Sequence, residues 1–276
     1  MISVITPVYN GERFIESCLQ NVIDQQCAGV EHIIIDAGSK DKTVDIIKQY
    51  ADRYSHIRWI SEPDQGQSDA MNKGIAMARG EILGILNVDD YYEPNVLNHI
   101  VEIFETLAEP SLLVGNCNVW DADGFRGLNE PSKLKFTDLL LGRRINPYPL
   151  NPSAYFYHAS LHQVAGLYDV NEHYAMDYDF LFRAVQVAHL KYVDETWGNF
   201  RVIQGTKTFS DSQTGQGARR VRRLIRTYRK DLPWFQRLKV TVIFELDRIL
   251  DQVSYFSKHS QELVPKLQAK LSRSGT

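Results

Sequence analysis

Over the first hundred residues, short apolar runs alternate with segments whose apolar positions recur at helical spacing. Ile2-Ser3-Val4-Ile5, His32 to Asp36, Ile57-Arg58-Trp59-Ile60 and Ile82 to Leu86 read as strands. Between them, Glu12 to Asp24 gathers Phe14, Ile15, Cys18, Leu19, Val22 and Ile23 on one helical face. Lys42 to Tyr50, Gln67 to Arg79 and Pro94 to Leu107 predict three more helices, with Pro94 suited to a first turn. Strands that are apolar at nearly every position are buried on both faces. The pattern therefore predicts an α/β fold, a mostly parallel, Rossmann-like central sheet flanked by helices. The second half is mixed. Leu112 to Gly115, Ala154 to Phe156, Lys191 to Val193 and Phe200 to Ile203 read as strands, Leu161 to Val164 as a helical turn, and Tyr178 to Ala188 as a helix. Beyond Gly217 the chain turns helical and basic, and Pro233 divides it into Ala218 to Lys230 and about Trp234 to Phe256.

In parallel sheets, ligands bind outside the carboxyl ends of the strands. Three predicted strands deliver polar residues there: Thr6 to Asn10, Asp36 to Ser39, and Asn87 to Asp90. Asp89 and Asp90 are adjacent carboxylates that repel each other and resist desolvation. Either the pair sits in a solvated turn, or a hard divalent cation bridging to a phosphate relieves both penalties. Asp36, at a strand end before Ala-Gly-Ser, either accepts from a nucleobase ring N–H or serves as a turn or cap residue. Glu62 to Gly74 is a polar loop leading into a helix, in which Lys73 either neutralises a phosphate or is solvated. Asp177 and Asp179 are two residues apart, so on a helix they point about 200° apart and do not share a site. Either one is a candidate base while the other caps or pairs, with Arg183 in reach, or both are helix-start carboxylates favoured by the dipole.

Charge adds a second feature. From Arg219 onward there are 14 Lys and Arg against 5 Asp and Glu, leaving 17 against 29 before it. A basic tail on an acidic body either meets something anionic or folds back on the body. Arg219, Arg220, Arg222, Arg223, Arg226, Arg229 and Lys230 cluster beside an apolar stripe of Val221, Leu224, Ile225 and Tyr228. That is the pattern of a helix lying on an anionic membrane or docked on the domain. No nucleic-acid reading motif accompanies the charge. The three cysteines show no metal-ligand spacing and read as buried free thiols. No leader peptide or membrane span is visible, so a cytoplasmic protein is expected, with peripheral contact at the inner face of the plasma membrane through Arg219–Lys230 as one use of the tail.

The order of motifs resembles a known family. Thr6-Pro7-Val8-Tyr9-Asn10, Asp36-Ala37-Gly38-Ser39-Lys40-Asp41-Lys42-Thr43, Glu62-Pro63-Asp64-Gln65-Gly66 with Ala70-Met71-Asn72-Lys73-Gly74, Leu86-Asn87-Val88-Asp89-Asp90 and Met176-Asp177-Tyr178-Asp179 together look like the family 2 glycosyltransferases of the GT-A fold. The likeness is greatest to the bacterial branch that builds O-antigen and other surface polysaccharides. It covers roughly Met1 to Thr208. The resemblance implies a GT-A domain over residues 1–217 with a helical extension over 218–276. It also implies inverting transfer of a hexosyl or N-acetylhexosaminyl group from a nucleotide-diphosphate sugar, usually a UDP-sugar, to a hydroxyl of a glycan or lipid-linked acceptor. Thr6, Pro7 and Val8 would line the base pocket and Asp36 accept from uracil, with Asn10, Asp64 and Lys73 also at the donor. Asp89 would lie at the ribose, Asp90 would bind Mn²⁺ or Mg²⁺, and Asp177 would be the general base.

Three departures matter. Asn87 replaces a frequent Asp. Ile203-Gln204 stands where many relatives place a His, so water is expected to complete the metal shell. Asn151-Pro152-Ser153 replaces a frequent His-Gln pair and is expected at the acceptor. Two rivals remain. A sugar-phosphate nucleotidyltransferase would need a glycine-rich first loop, whereas Pro7 to Arg13 has one glycine. An inactive nucleotide-sugar or glycan-binding homologue would not need Asp89, Asp90 and Asp177 together.

Overall fold

The computed structural model describes residues 1–142, 145–246 and 249–250. The first strand outruns its apolar stretch. β1 is Ile2–Val8, because Thr6-Pro7-Val8 stays paired with β2 (Val30–Asp36), Val8 lying opposite Asp36. With β3 (Ile57–Ser61) and β4 (Ile82–Ile85) these strands form the parallel block β3-β2-β1-β4. Helices α1 (Ile15–Asp24) and α2 (Thr43–Ala51) cover one face, where Ile15, Leu19 and Ile47 pack with Val8, Ile34 and Ile57. On the other face α3 (Gln67–Met77) places Ala70 and Met71 against Ile5, Ile33 and Ile35. The helix can lie that close because residue 74 is glycine: a Cβ there would come within 2.3 Å of Ile5. A fourth helix, α4 (Val96–Phe104), packs with Ile2, Val4 and Cys18.

The sheet continues with β5 (Tyr91–Tyr92), β6 (Ser111–Asp121), β7 (Gly124–Asn129), β8 (Tyr155–His158) and β9 (His189–Val202). Among the described residues the full order is β3-β2-β1-β4-β8-β6-β9-β5, with β7 hairpinned onto β6. β8 runs antiparallel to both neighbours and β5 to β9, while β6 and β9 run parallel. The sheet is thus mostly parallel and flanked by helices, as the hydrophobic pattern predicts. One sequence expectation is corrected. Lys191–Val193 and Phe200–Ile203 are not two strands but parts of the single strand β9, whose polar middle pairs with β6 through register shifts. Gly198 permits this crossing, since a Cβ would sit 2.1 Å from Ser153 Oγ.

The remaining helices are α5 (Phe136–Leu139), α6 (Leu161–Ala165), α7 (Met176–Ala184), α8 (Lys207–Thr214) and α9 (Gln216–Arg229). α9 begins beside the expected boundary at 217 and shares a core cluster with α7 through Ile225, Val221, Leu224 and Tyr228. Among the described residues three of the seven clustered cations make protein contacts, Arg219 Nη2 donating to Thr214 O at 3.4 Å. Arg220 pairs with Glu172 at 2.8 Å, and the buried Arg229 donates to Leu140 O at 2.9 Å. Residues 234–246 are helical and add Val240 and Phe244 to the same cluster. Of the expected second tail segment, residues 247–248 and 251–256 lie outside the described residues. Among the described residues no helix is long and apolar enough to cross a membrane.

Candidate active site

β1, β2 and β4 end at one edge because Ile5 is in register with both Ile33 and Ile85, and Leu86 N donates to Ile5 O at 2.9 Å. That edge gathers Thr6 to Asn10, Asp36 to Ser39 and Asn87 to Asp90, as the strand pattern predicts. Thr6 itself is buried beneath it, its Oγ1 2.9 Å from His32 Nε2. Desolvation pushes that histidine down to about 3, so it is neutral. Pro7 and Val8 are buried too, leaving Tyr9 and Asn10 as the exposed residues of the strand's end. Asn10 ties two loops together: its N–H donates to Ser39 Oγ at 2.7 Å and its Oδ1 accepts from Lys40 N at 2.8 Å.

Asp36 is fully buried, and its carboxylate is already occupied by protein donors. Oδ2 accepts from Gly38 N and Ser39 N, both at 3.0 Å, and from Ser61 Oγ at 2.6 Å; Oδ1 accepts from Ser39 Oγ. Half-buried Asp64 lies near enough for the charge of Asp36 to raise its pKa, although burial is the largest cause. Asp64 Oδ1 accepts from Gly66 N at 2.8 Å. Lys73 is drawn to the same loop, pairing with Glu62 at 2.9 Å and Asp69 at 3.6 Å and donating to Pro63 O at 3.0 Å.

The adjacent aspartates differ sharply. Asp90 is 1% exposed; its Oδ1 accepts from Arg201 N at 3.0 Å, and its Oδ2 accepts from Asn151 Nδ2 at 2.7 Å and Asn87 Nδ2 at 3.1 Å. Burial, then the charge of Asp89, pushes its pKa up, against these three donors. Asp89 is partly exposed; burial raises its pKa, its own N–H and the Arg201 guanidinium oppose this, and Arg201 Nε donates to the Asp89 carbonyl. Asn151 therefore braces Asp90. Asn87 suits its position because it must donate to Asp90, which a carboxylate cannot do.

Toward a divalent cation, Asp90 is a poor fit: it is enclosed and all its contacts are N–H donors. The partly exposed Asp89 fits one. Among the described residues no cluster of three or more His, Cys, Asp or Glu could hold a metal, so ligand or water oxygens would have to complete the shell.

The catalytic candidate comes from α7. Asp177 and Asp179 lie within the helix and not before it, and they diverge as their spacing demands. Asp179 accepts from Arg183 Nη2 at 2.9 Å and from Tyr228 Oη at 2.8 Å. By contrast, Asp177 Oδ1 is buried without a hydrogen-bond partner. Desolvation pushes Asp177 up to about 6, and Lys207 and the Tyr155 hydroxyl pull it back. Lys207, whose charge acts on this carboxylate, also reaches the strand edge. Its Nζ lies 3.3 Å from Gln67 Oε1, Gln67 Nε2 donates to Asn87 Oδ1 at 2.9 Å, and Asn87 reaches Asp90. Lys207, Gln67, Arg201 and Tyr155 are thus site residues that sequence reasoning missed. The available signal was the polar turn Gln204-Gly205-Thr206-Lys207 closing a strand, with Thr206 capping α8 by accepting from Phe209 N at 3.2 Å.

Known proteins share this arrangement to differing extents. The description "Glycosyl transferase family 2" matches residues 3–140. An uncharacterized glycosyltransferase of Mycobacterium tuberculosis is 32% identical over 191 residues, covering 67% of this chain and 69% of that protein. The chondroitin synthase of Pasteurella multocida is 27% identical over 216 residues, or 75% of this chain and 21% of the synthase. The chain spans only 33% to 40% of the length of the first three curated relatives it matches. Among solved structures, S. aureus TarS 1-349 in complex with UDP-GlcNAc superposes with a TM-score of 0.65 at 19% identity, covering 88% of this chain and 71% of that one. The fold is therefore that of the GT-A glycosyltransferases, and with half its length matched the chain belongs to glycosyl transferase family 2.

Proposed function

We propose that the protein transfers a sugar from a nucleotide-diphosphate sugar, most simply a UDP-sugar, to a hydroxyl of a glycan or lipid-linked acceptor, with inversion. The observation that carries this reading is Asp177, a carboxylate with one buried, unpartnered oxygen, lying within the field of Lys207, which itself reaches Gln67 and through it Asn87 at the carboxyl edge of a parallel sheet. The UDP and UDP-GlcNAc complexes of TarS support a uridine donor. Asp177 accepts the acceptor's hydroxyl proton as its oxygen bonds to the anomeric carbon, and the bond from that carbon to the diphosphate breaks. Attack opposite the leaving group inverts the centre. The diphosphate departs with the bonding electrons, and Lys207 faces the charge it gains. Mn²⁺ or Mg²⁺ held by Asp89 would supply further charge neutralisation on the diphosphate.

Within this proposal Asp89, rather than Asp90, is the cation-facing carboxylate. Asp90 fixes the loop by holding Arg201, Asn151 and Asn87. Asp36 and Asp64 shape the nucleoside end, where Asp36 acts by ordering Gly38 and Ser39. The test is transfer to a panel of sugar acceptors from a panel of nucleotide sugars, with Mn²⁺ and with EDTA. Product formed with a UDP-sugar, abolished by EDTA and by Asp89→Asn, is expected. Undiminished turnover in chelator would remove the metal, and a panel with no product would remove the transfer.

A further inference from the structure

The helix at residues 234–246 is apolar on two sides. Val240 and Phe244, 3% and 8% exposed, seat it on the body, where Phe244 stacks on the Arg229 guanidinium at 3.9 Å. Trp234, Phe235, Leu238, Val242 and Leu246 are 72%, 56%, 59%, 48% and 55% exposed. At about 100° per residue these five fall within an arc of about 120°, opposite Val240 and Phe244. The stripe spans three turns of helix, long enough to be a docking face rather than scattered exposed residues. Ile249 and Leu250, 49% and 64% exposed, follow it. The stripe is preceded by α9, on which Arg222, Arg223 and Arg226 are exposed and make no ion pair among the described residues.

We infer that this stripe, together with those cations, is a membrane-docking surface that seats in the interface of an anionic bilayer. A large aromatic pair at one end, aliphatic side chains along the helix and cations on the preceding helix match the chemistry of that interface: acyl chains take the apolar face and lipid phosphates the arginines. Charge selects the occupant. The segment from Arg219 onward carries 14 Lys and Arg against 5 Asp and Glu, so a second copy would bring an equally basic segment against it, whereas an anionic surface complements it. This goes beyond the transfer chemistry and does not depend on it. The docking helix lies on the α7 side of the molecule, in the same core cluster as Phe180 and Phe182.

The test is flotation of the full chain with vesicles of phosphatidylcholine alone or mixed with phosphatidylglycerol. Binding to mixed vesicles that weakens in high salt and is at least ten-fold lower for Trp234→Ser/Leu238→Asp is expected. Both positions are exposed, so the variant should keep the wild-type melting temperature, which is measured alongside. Wild-type tryptophan emission should shift to the blue on mixed vesicles, and Trp234→Phe should float while losing that shift. Absence of flotation, or equal flotation of the double variant, would overturn the inference. A wild-type dimer in light scattering that Trp234→Ser/Leu238→Asp dissociates would also overturn it, assigning the stripe to a second copy.

Discussion

At the end of β2, Asp36 accepts four hydrogen bonds from the protein; in α7, one oxygen of Asp177 is buried and accepts none. Asp36 is wholly buried and Asp177 has one buried oxygen, yet their surroundings prepare them for opposite work. A buried anion with donors on both oxygens organises the backbone around it, and its charge is spent on the fold. A buried oxygen with no donor is held at higher energy than its neighbours, ready to take a proton. Asp90 and Asp89 repeat the contrast side by side. Asp90 is enclosed by Arg201 N, Asn151 and Asn87, and Asp89 is left partly open to solvent. Within this edge, then, scaffold and reagent are told apart by what already occupies the carboxylate, not by the residue type.

The largest expected effect tests the reagent side. Asp177→Asn keeps size and position but cannot accept the proton, so turnover should fall by about 10²–10⁴-fold while UDP binding is retained. A rate assay paired with donor titration checks both halves, and equal loss of binding and turnover would return Asp177 to the scaffold class. On the scaffold side, Asp36→Ala empties a buried position and removes the acceptor of the half-buried Gly38 and Ser39 N–H groups and of the Ser61 hydroxyl. Urea denaturation should show about 3 kcal/mol of lost stability. If stability is unchanged and only donor affinity falls, Asp36 belongs with the reagents.

A subtler probe uses Lys207, whose charge lowers the Asp177 pKa. In the wild type, activity should be lost as pH falls through about 6, the pH at which Asp177 gains its proton. Lys207→Met removes the opposing charge, so the acid limb of the pH–rate profile should move to higher pH, with a loss of about ten-fold in turnover from the missing cation at the diphosphate. A limb that stays in place would separate Lys207 from the base.

How much of this could be read from the sequence depends on where the partners lie. The parallel block was legible because β1 to β4 are short apolar runs, each followed by a helical repeat. β9 was not, because Asp194, Glu195, Thr196 and Asn199 interrupt its apolar pattern. Two of them are satisfied across the sheet, Asp194 by Asn116 at 2.9 Å and Asn199 by Trp120 at 2.8 Å, a pairing that no local window contains. Asp36, Asp89, Asp90 and Asp177 were all visible as candidates. The division of labour among them was not. Asp90 is braced by Arg201 and Asn151, 111 and 61 residues away, and the Lys207–Gln67 contact spans 140 residues. The exposed stripe from Trp234 to Leu246 was hidden for a different reason: helical spacing shows that residues are apolar, but not which of two apolar faces is covered.

The smallest effect gives the contrast its sign. Asp177 has a folded pKa raised to about 6 from an ordinary 3.8, so the folded protein holds that proton more tightly than the unfolded chain does. For a carboxylate raised in this way, the charged form opposes folding. The penalty is absent below the unfolded pKa, grows as pH rises between the two values and is complete above the folded one. A shift of about two units corresponds to roughly 3 kcal/mol at most, and partial exposure of the residue reduces it. Asp177→Asn should therefore raise the melting temperature by a few degrees at pH 8 and change it little at pH 4. Asp36→Ala should lower it at pH 8. Two substitutions that each remove a carboxylate would then move stability in opposite directions, and thermal melts at the two pH values read that difference. If Asp177→Asn destabilised the protein at pH 8, the buried oxygen would have a partner, and its standing as a free base would fall with it.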